Sequence, residues 1–126
     1  MTLTEFIPTT TRQLLLNTAN AVLLINHHQI IFIEADDNYS KIYLDDHTEF
    51  RLSKTLGLVE EEINNEMFFR CHRTYLVNVL FIKEITKGDD MCITLKNGSK
   101  IPLAKRRLGE LRKLIGEKSR PALYSK

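Results

Sequence analysis

The sequence predicts a mainly β fold: elongated antiparallel strands in several small sheets, with two short helices. Three observations carry this. Apolar residues come mostly in short runs bounded by Asn, Asp, Gly and Pro, the pattern of strands and turns. Only two stretches show helical spacing, one through Leu56, Val59 and Ile63 and one through Leu108, Leu111, Leu114 and Ile115. No strand–helix–strand rhythm repeats, which excludes a Rossmann or receiver-like unit.

Element by element, residues 1–11 read as a flexible tail, residues 12–116 as one domain and residues 117–126 as a frayed tail. Arg12–Asn17 and Ala21–Ile25 read as strands joined by N-T-A-N. Gln29–Glu34 (QIIFIE) is nearly continuous in apolar residues and reads as a buried strand, broken by Ala35-Asp36-Asp37-Asn38. Tyr39–Leu44 and Thr48–Leu52 form a hairpin about Asp45-Asp46-His47. Ser53 suits a helix N-cap, and a helix over residues 54–64 turns Glu60, Glu61 and Glu62 to water.

Met67–Cys71, Leu76–Val79 and Phe81–Thr86 read as further strands, and Lys87-Gly88-Asp89-Asp90 as a turn. Met91–Lys96 and Ser99–Leu103 flank Asn97-Gly98, the clearest hairpin signal. Asn-Gly predicts a type I′ turn, in which both central residues have positive φ. Pro102 lacks an amide donor, so its strand belongs at an edge. A short amphipathic helix closes the domain from Leu108.

A chain of 126 residues with 43% hydrophobic and 27% charged residues is an ordinary globular domain that needs no metal or disulfide. Cys71 and Cys92 are far apart and read as reduced thiols of a cytoplasmic protein, although basic neighbours make Cys71 a candidate for a lowered pKa. No apolar run reaches the roughly 18 residues of a membrane span, and no signal peptide opens the chain. The histidines have no metal-ligand spacing; His27-His28 reads as a solvated polar turn. No glycine-rich phosphate loop occurs. The expectation is therefore no enzyme, no cofactor, no metal and no small-molecule substrate.

The net charge of +2 hides a polarity. Residues 1–65 carry 4 Lys/Arg against 10 Asp/Glu, a balance of −6, and residues 66–126 carry 14 against 6, a balance of +8. That asymmetry implies an anionic partner for the C-terminal half. Two clusters sharpen it: F-R-C-H-R-T-Y-L-V-N at Phe69–Asn78, and Lys105-Arg106-Arg107. Guanidinium groups beside short polar side chains suit phosphate oxygens and guanine edges, so the partner expected is nucleic acid.

Three blocks, F-I-E-A-x-x-N-Y at Phe32–Tyr39, F-F-R-C-H-R-T-Y-L-V-N at Phe68–Asn78 and N-G-x-x-I-P-L-A-K-R-R at Asn97–Arg107, together resemble the LytTR family of bacterial DNA-binding domains. The resemblance runs over about residues 12–115. It implies a response-regulator output domain and transcription regulator that binds double-stranded DNA. Loops, not a recognition helix, enter successive major grooves at short direct repeats, and the domain can pair as a homodimer on DNA. Carried onto this sequence, it implies base contacts from Tyr39, Ser40, Lys41, Arg73 and Arg106, and backbone contacts from Asn38, Arg70, Thr74, Lys105 and Arg107. Phe69, Tyr75, Leu76 and Val77 are core by the same comparison, and His72 and Asn78 hold loops.

Two departures stand out. Many members have Ser-Arg where this chain has Ala104-Lys105, which removes one hydroxyl donor. Only about 11 residues precede the domain, which implies a free-standing regulator or an output domain without its receiver. The alternative from another class is a protein-interaction module using exposed edge strands such as Ser99–Leu103 and the C-terminal helix.

Overall fold

The computed structural model describes residues 13–17, 20–64 and 66–116. The tails expected at residues 1–11 and 117–126 lie outside the described residues, as do Arg12 and two residues of the N-T-A-N link. β1 (Gln13–Asn17) and β2 (Val22–Asn26) form an antiparallel ribbon. A five-stranded antiparallel sheet follows in the order β5-β4-β3-β7-β6: β3 is Ile30–Asp36, β4 Tyr39–Leu44, β5 Glu49–Leu52, β6 Phe68–His72 and β7 Tyr75–Asn78. Helix α1 (Leu56–Ile63) joins β5 to β6. A three-stranded sheet, in the order β10-β9-β8, contains β8 (Ile82–Thr86), β9 (Cys92–Leu95) and β10 (Lys100–Pro102), and helix α2 (Leu108–Leu114) completes the domain. The mostly β architecture with two short helices is the one predicted.

The five-stranded sheet is buried on both faces. Ile33, Ile42 and Leu76 pack one face against Leu56, Val59 and Ile63 of α1 and Leu14, Leu16 and Ile25 of the ribbon. Phe32, Phe69 and Val77 pack the other against Ile93, Leu95 and Ile101 of the three-stranded sheet and Leu111 of α2. β3 lies at the centre of the sheet, which is why its sequence is a continuous apolar run and does not alternate. Each fully buried Ile or Leu contributes about 1.5–3 kcal/mol of transfer free energy, so two cores outweigh any surface contact.

Several local expectations are corrected. The N-cap of α1 is Thr55, whose hydroxyl accepts from the Leu58 N–H, and not Ser53. Asn64, at φ 36, ends that helix in the left-handed conformation. The Asn97-Gly98 turn is not type I′, because only Gly98 has positive φ (93°). Gly98 N–H donates to Leu95 O at 2.8 Å, and Leu95 N–H donates to Ser99 O at 2.8 Å, so the loop has three residues with glycine in the bulge position. Asp45-Asp46-His47 repeats that construction, with His47 at φ 74.

His27 is not solvated. Asn26 caps a short 3-10 turn at His27–Gln29, which turns His27 inward, edge-on to Phe68 at 5.7 Å. His28 remains exposed. Cys71 is fully buried, and burial pushes its thiol up to about 12, the reverse of an activated cysteine. Pro102 does sit on an edge strand.

Asn78 ties the pieces together. Its buried side chain donates from Nδ2 to Ile30 O at 2.8 Å and accepts at Oδ1 from the Leu80 N–H at 2.9 Å. One amide thus joins the start of β3 to the crossing that leaves β7. Replacing it with alanine leaves a buried carbonyl and a partly buried N–H without these partners. Asn78→Ala is expected to lower unfolding free energy by about 2–4 kcal/mol in urea titration. A loss under about 0.5 kcal/mol, the range of a neutral surface change, contradicts this role.

Candidate nucleic-acid interface

Two hairpin tips lie side by side at one end of the five-stranded sheet. β3 and β4 meet at Asp36 and Tyr39, leaving Asp37-Asn38 as the first tip. β6 and β7 meet at His72 and Tyr75, leaving Arg73-Thr74 as the second. β3 pairs with β7 through Glu34 and Tyr75, and Ala35 N–H donates to Thr74 O at 2.9 Å. The pairing register therefore fixes the relation of the tips.

The third block reaches the same region along the outer edge of β6. Ala104 N–H donates to Cys71 O at 2.9 Å, and Arg107 Nε donates to Arg70 O at 3.0 Å. Lys105–Arg107 form a 3-10 turn, with α2 starting behind them. Arg70, His72, Arg73, Ala104, Arg106 and Arg107, with Glu60 of α1, line one shallow hollow. Blocks far apart in sequence thus contribute to one positively charged surface.

The arginines fall into two kinds. Arg73 and Arg106 are exposed, as is Lys105. Arg70 is committed to the protein: Nη1 donates to Glu60 Oε1 at 2.7 Å, Nη2 to Arg73 O at 2.7 Å and Nε to His72 O at 3.2 Å. Each nitrogen of its guanidinium has one acceptor here, so Arg70 is held in place by the protein. Arg107 stacks over Phe69, 4.7 Å from the ring centroid, and pairs with Glu110, so it is half-committed. Thr74 serves its own loop: its N–H donates to His72 Nδ1 at 3.2 Å, and its Oγ1 lies 3.0 Å from that nitrogen.

A second group surrounds the first tip. Asn38 is exposed, and Tyr39 keeps 41% of its surface open with the Arg51 guanidinium 4.6 Å over its ring. Arg51 also pairs with Asp36 at 3.0 Å. Lys41 lies beside Tyr43, whose phenol holds the ammonium above its ordinary pKa. Glu34 accepts hydrogen bonds from Tyr43 at 2.9 Å and Tyr75 at 3.1 Å. Burial, then the Glu34 contact, raises both phenols, so they remain neutral donors.

Ser40 faces inward. It is fully buried, and its hydroxyl donates to Lys54 O at 2.8 Å, just ahead of α1. Strand alternation explains this: Tyr39 and Lys41 point to one face, and Ser40 points to the core. In this conformation the Ser40 hydroxyl is closed to solvent and committed to the Lys54 carbonyl.

Residues that sequence reasoning passed over include Glu60, Glu34 and Arg51. Glu60 follows Leu56 at i+4 and so borders the buried stripe of α1, a signal that it meets the sheet. Its side chain stays 45% exposed and also pairs with Arg70. Glu34 and Arg51 had no local signal, since their partners lie on other strands of the sheet.

A profile of the LytTr DNA-binding domain matches residues 20–116. The sensory transduction protein LytT of Bacillus subtilis (strain 168) is 30% identical over 105 residues, covering 82% of this chain and 43% of that protein. LytT of Enterococcus faecalis is 23% identical over 97 residues, covering 75% and 40%. The chain thus spans about two fifths of the length of these relatives. A solved LytTr DNA-binding domain from Bacillus cereus superposes with a TM-score of 0.69 at 24% identity, covering 82% of this chain and 96% of that one, and has the same fold.

The burial of Ser40 generates a direct check. Ser40→Ala is expected to cost about 1–3 kcal/mol of stability, because it strips the Lys54 carbonyl of its partner, and to leave the affinity of folded protein for any duplex unchanged. Reduced affinity at full stability would return Ser40 to the interface.

Proposed function

The chain belongs to the family of LytTr DNA-binding domains, and from that premise we propose that it reads double-stranded DNA in a sequence-specific way as a bacterial transcription regulator. The sites are short direct repeats, and the hairpin tips and the basic turn enter successive major grooves. One observation carries the reading: exposed Arg73 and exposed Arg106, from separate motif blocks, line the same hollow at the end of a rigid sheet.

In this reading Arg73 and Arg106 contact base edges, since a planar fork matches guanine O6 and N7. Tyr39 and Lys41 serve the neighbouring groove from the first tip. Asn38, Lys105 and the rim of Arg107 meet phosphates, with the Thr74 backbone setting the approach. Two copies bind adjacent repeats as a homodimer on DNA. The repeats, the groove placement and the pairing extend the family premise.

The interaction-module alternative is less well supported. The apolar face of α2 is already used, with Leu111 fully buried and Leu108 and Leu114 packed in the second core. The edge strand β10 has three residues and ends in Pro102.

The test is differential affinity. Arg73→Ala and Arg106→Ala should each cost about 1–3 kcal/mol on the preferred duplex and less on random duplex. Lys105→Ala should weaken binding to all sequences alike and reduce the salt slope by about one. Equal losses on preferred and random DNA for Arg106→Ala would remove it from base reading.

A further inference from the structure

We infer that Glu60 is a positioning residue for DNA recognition: from α1 it fixes Arg70, and Arg70 locks the tip carrying Arg73 to the turn carrying Arg106. This rests on the DNA-binding reading above.

The geometry is a continuous relay. Glu60 Oε1 accepts from Arg70 Nη1 at 2.7 Å. Arg70 spends its other two nitrogens on the tip, Nη2 on Arg73 O at 2.7 Å and Nε on His72 O at 3.2 Å. The Arg70 backbone carbonyl then accepts from Arg107 Nε at 3.0 Å, and the next carbonyl, Cys71 O, accepts from Ala104 N–H at 2.9 Å. One arginine therefore touches α1 and the β6–β7 tip with its side chain, and the basic turn with its backbone. A guanidinium with acceptors in three directions has one rotamer, and the carboxylate supplies the charge-assisted bond that selects it.

The location of Glu60 argues the same way. Its side chain, 45% exposed, is the one carboxylate among the described residues lining a hollow otherwise formed by Arg70, His72, Arg73, Ala104, Arg106 and Arg107. A negative charge there opposes phosphate binding of any sequence. It raises discrimination if it costs the random complex more than the preferred one. The two effects give Glu60 a signature that stability alone does not produce: removing the acid weakens the preferred complex and spares or tightens the random one.

The experiment uses this chain with Glu60→Ala, Glu60→Gln, Arg70→Lys and Arg70→Ala. Each binds the duplex that wild type selects from a random pool, and a random duplex, across a salt series. Glu60→Ala and Arg70→Lys are each expected to lose about tenfold on the selected duplex and nothing on random duplex, with the salt slope unchanged. Glu60→Gln, which keeps an acceptor oxygen without the charge, is expected to fall between wild type and Glu60→Ala. Tighter binding of Glu60→Ala to both duplexes would make Glu60 a repulsive charge only and overturn the inference. Wild-type binding by Arg70→Lys, with Arg70→Ala lowering the salt slope on both duplexes, would make Arg70 a phosphate ligand and also overturn it. Amide hydrogen exchange of the free protein separates this inference from its premise. Faster exchange at Arg73 and Thr74 in Glu60→Ala supports the relay even if wild type binds no duplex, and unchanged exchange there overturns it.

Discussion

The structure depends on the double burial of its five-stranded sheet. β3 sits at the centre of that sheet, with Ile33 facing the α1 and ribbon core and Phe32 facing the second core. A strand buried on both faces cannot slip by one residue without exchanging its two apolar sets. The Glu34–Tyr75 register and the Asp36–Tyr39 turn are thereby fixed, and with them the separation of the two tips. The proposed reading of DNA through loops needs such a constraint, because a misplacement of about 1 Å at a base edge forfeits a bidentate contact.

Electrostatics then divides labour among residues of the same type. Arg70 is held by Glu60 and by two backbone carbonyls, and Arg107 by Phe69, Glu110 and a carbonyl, whereas Arg73 and Arg106 reach solvent. The held pair shapes the surface, and the exposed pair is available to a ligand. Tyr39 and Lys41 at the first tip are arranged in a comparable way, with the carboxylate of Asp36 holding Arg51 against Tyr39 and Glu34 anchoring two phenols. Acidic residues of the N-terminal half thus organise basic and aromatic side chains, so the charge separation along the sequence is partly re-paired on folding.

The strands and helices were legible because β3, the β4–β5 hairpin and the β9–β10 hairpin have unambiguous apolar runs and turn residues. The turn at Asn97-Gly98 was misjudged in type because residue preference does not reveal whether a loop has two residues or three; the hydrogen bonds from Leu95 and Gly98 decide that. The inward turn of Ser40 was not legible in its motif, because a motif gives proximity along the chain while strand alternation decides which neighbour turns inward. His27 was misjudged because the capping of its turn by Asn26 and Gln29, which drives it into the core, is visible only once the turn forms. The basic clusters were legible as chemistry. Their division into holding and exposed arginines was not, because it depends on which arginine the fold brings to Glu60 and to the backbone carbonyls of the tip.

The measurement that tests the central claim most directly is selection of bound duplexes from a random DNA pool, followed by titration of the winning duplex across salt. Two copies bound side by side on one face of the duplex predict a winner with two short direct repeats, centred about 10–10.5 base pairs apart, one helical turn. Binding to that winner is expected to fall steeply with salt, yet stay well above binding to random duplex. Salt-sensitive binding with no enriched motif would contradict base reading by the tips, and no binding even at low salt would contradict the account of the surface as a DNA interface.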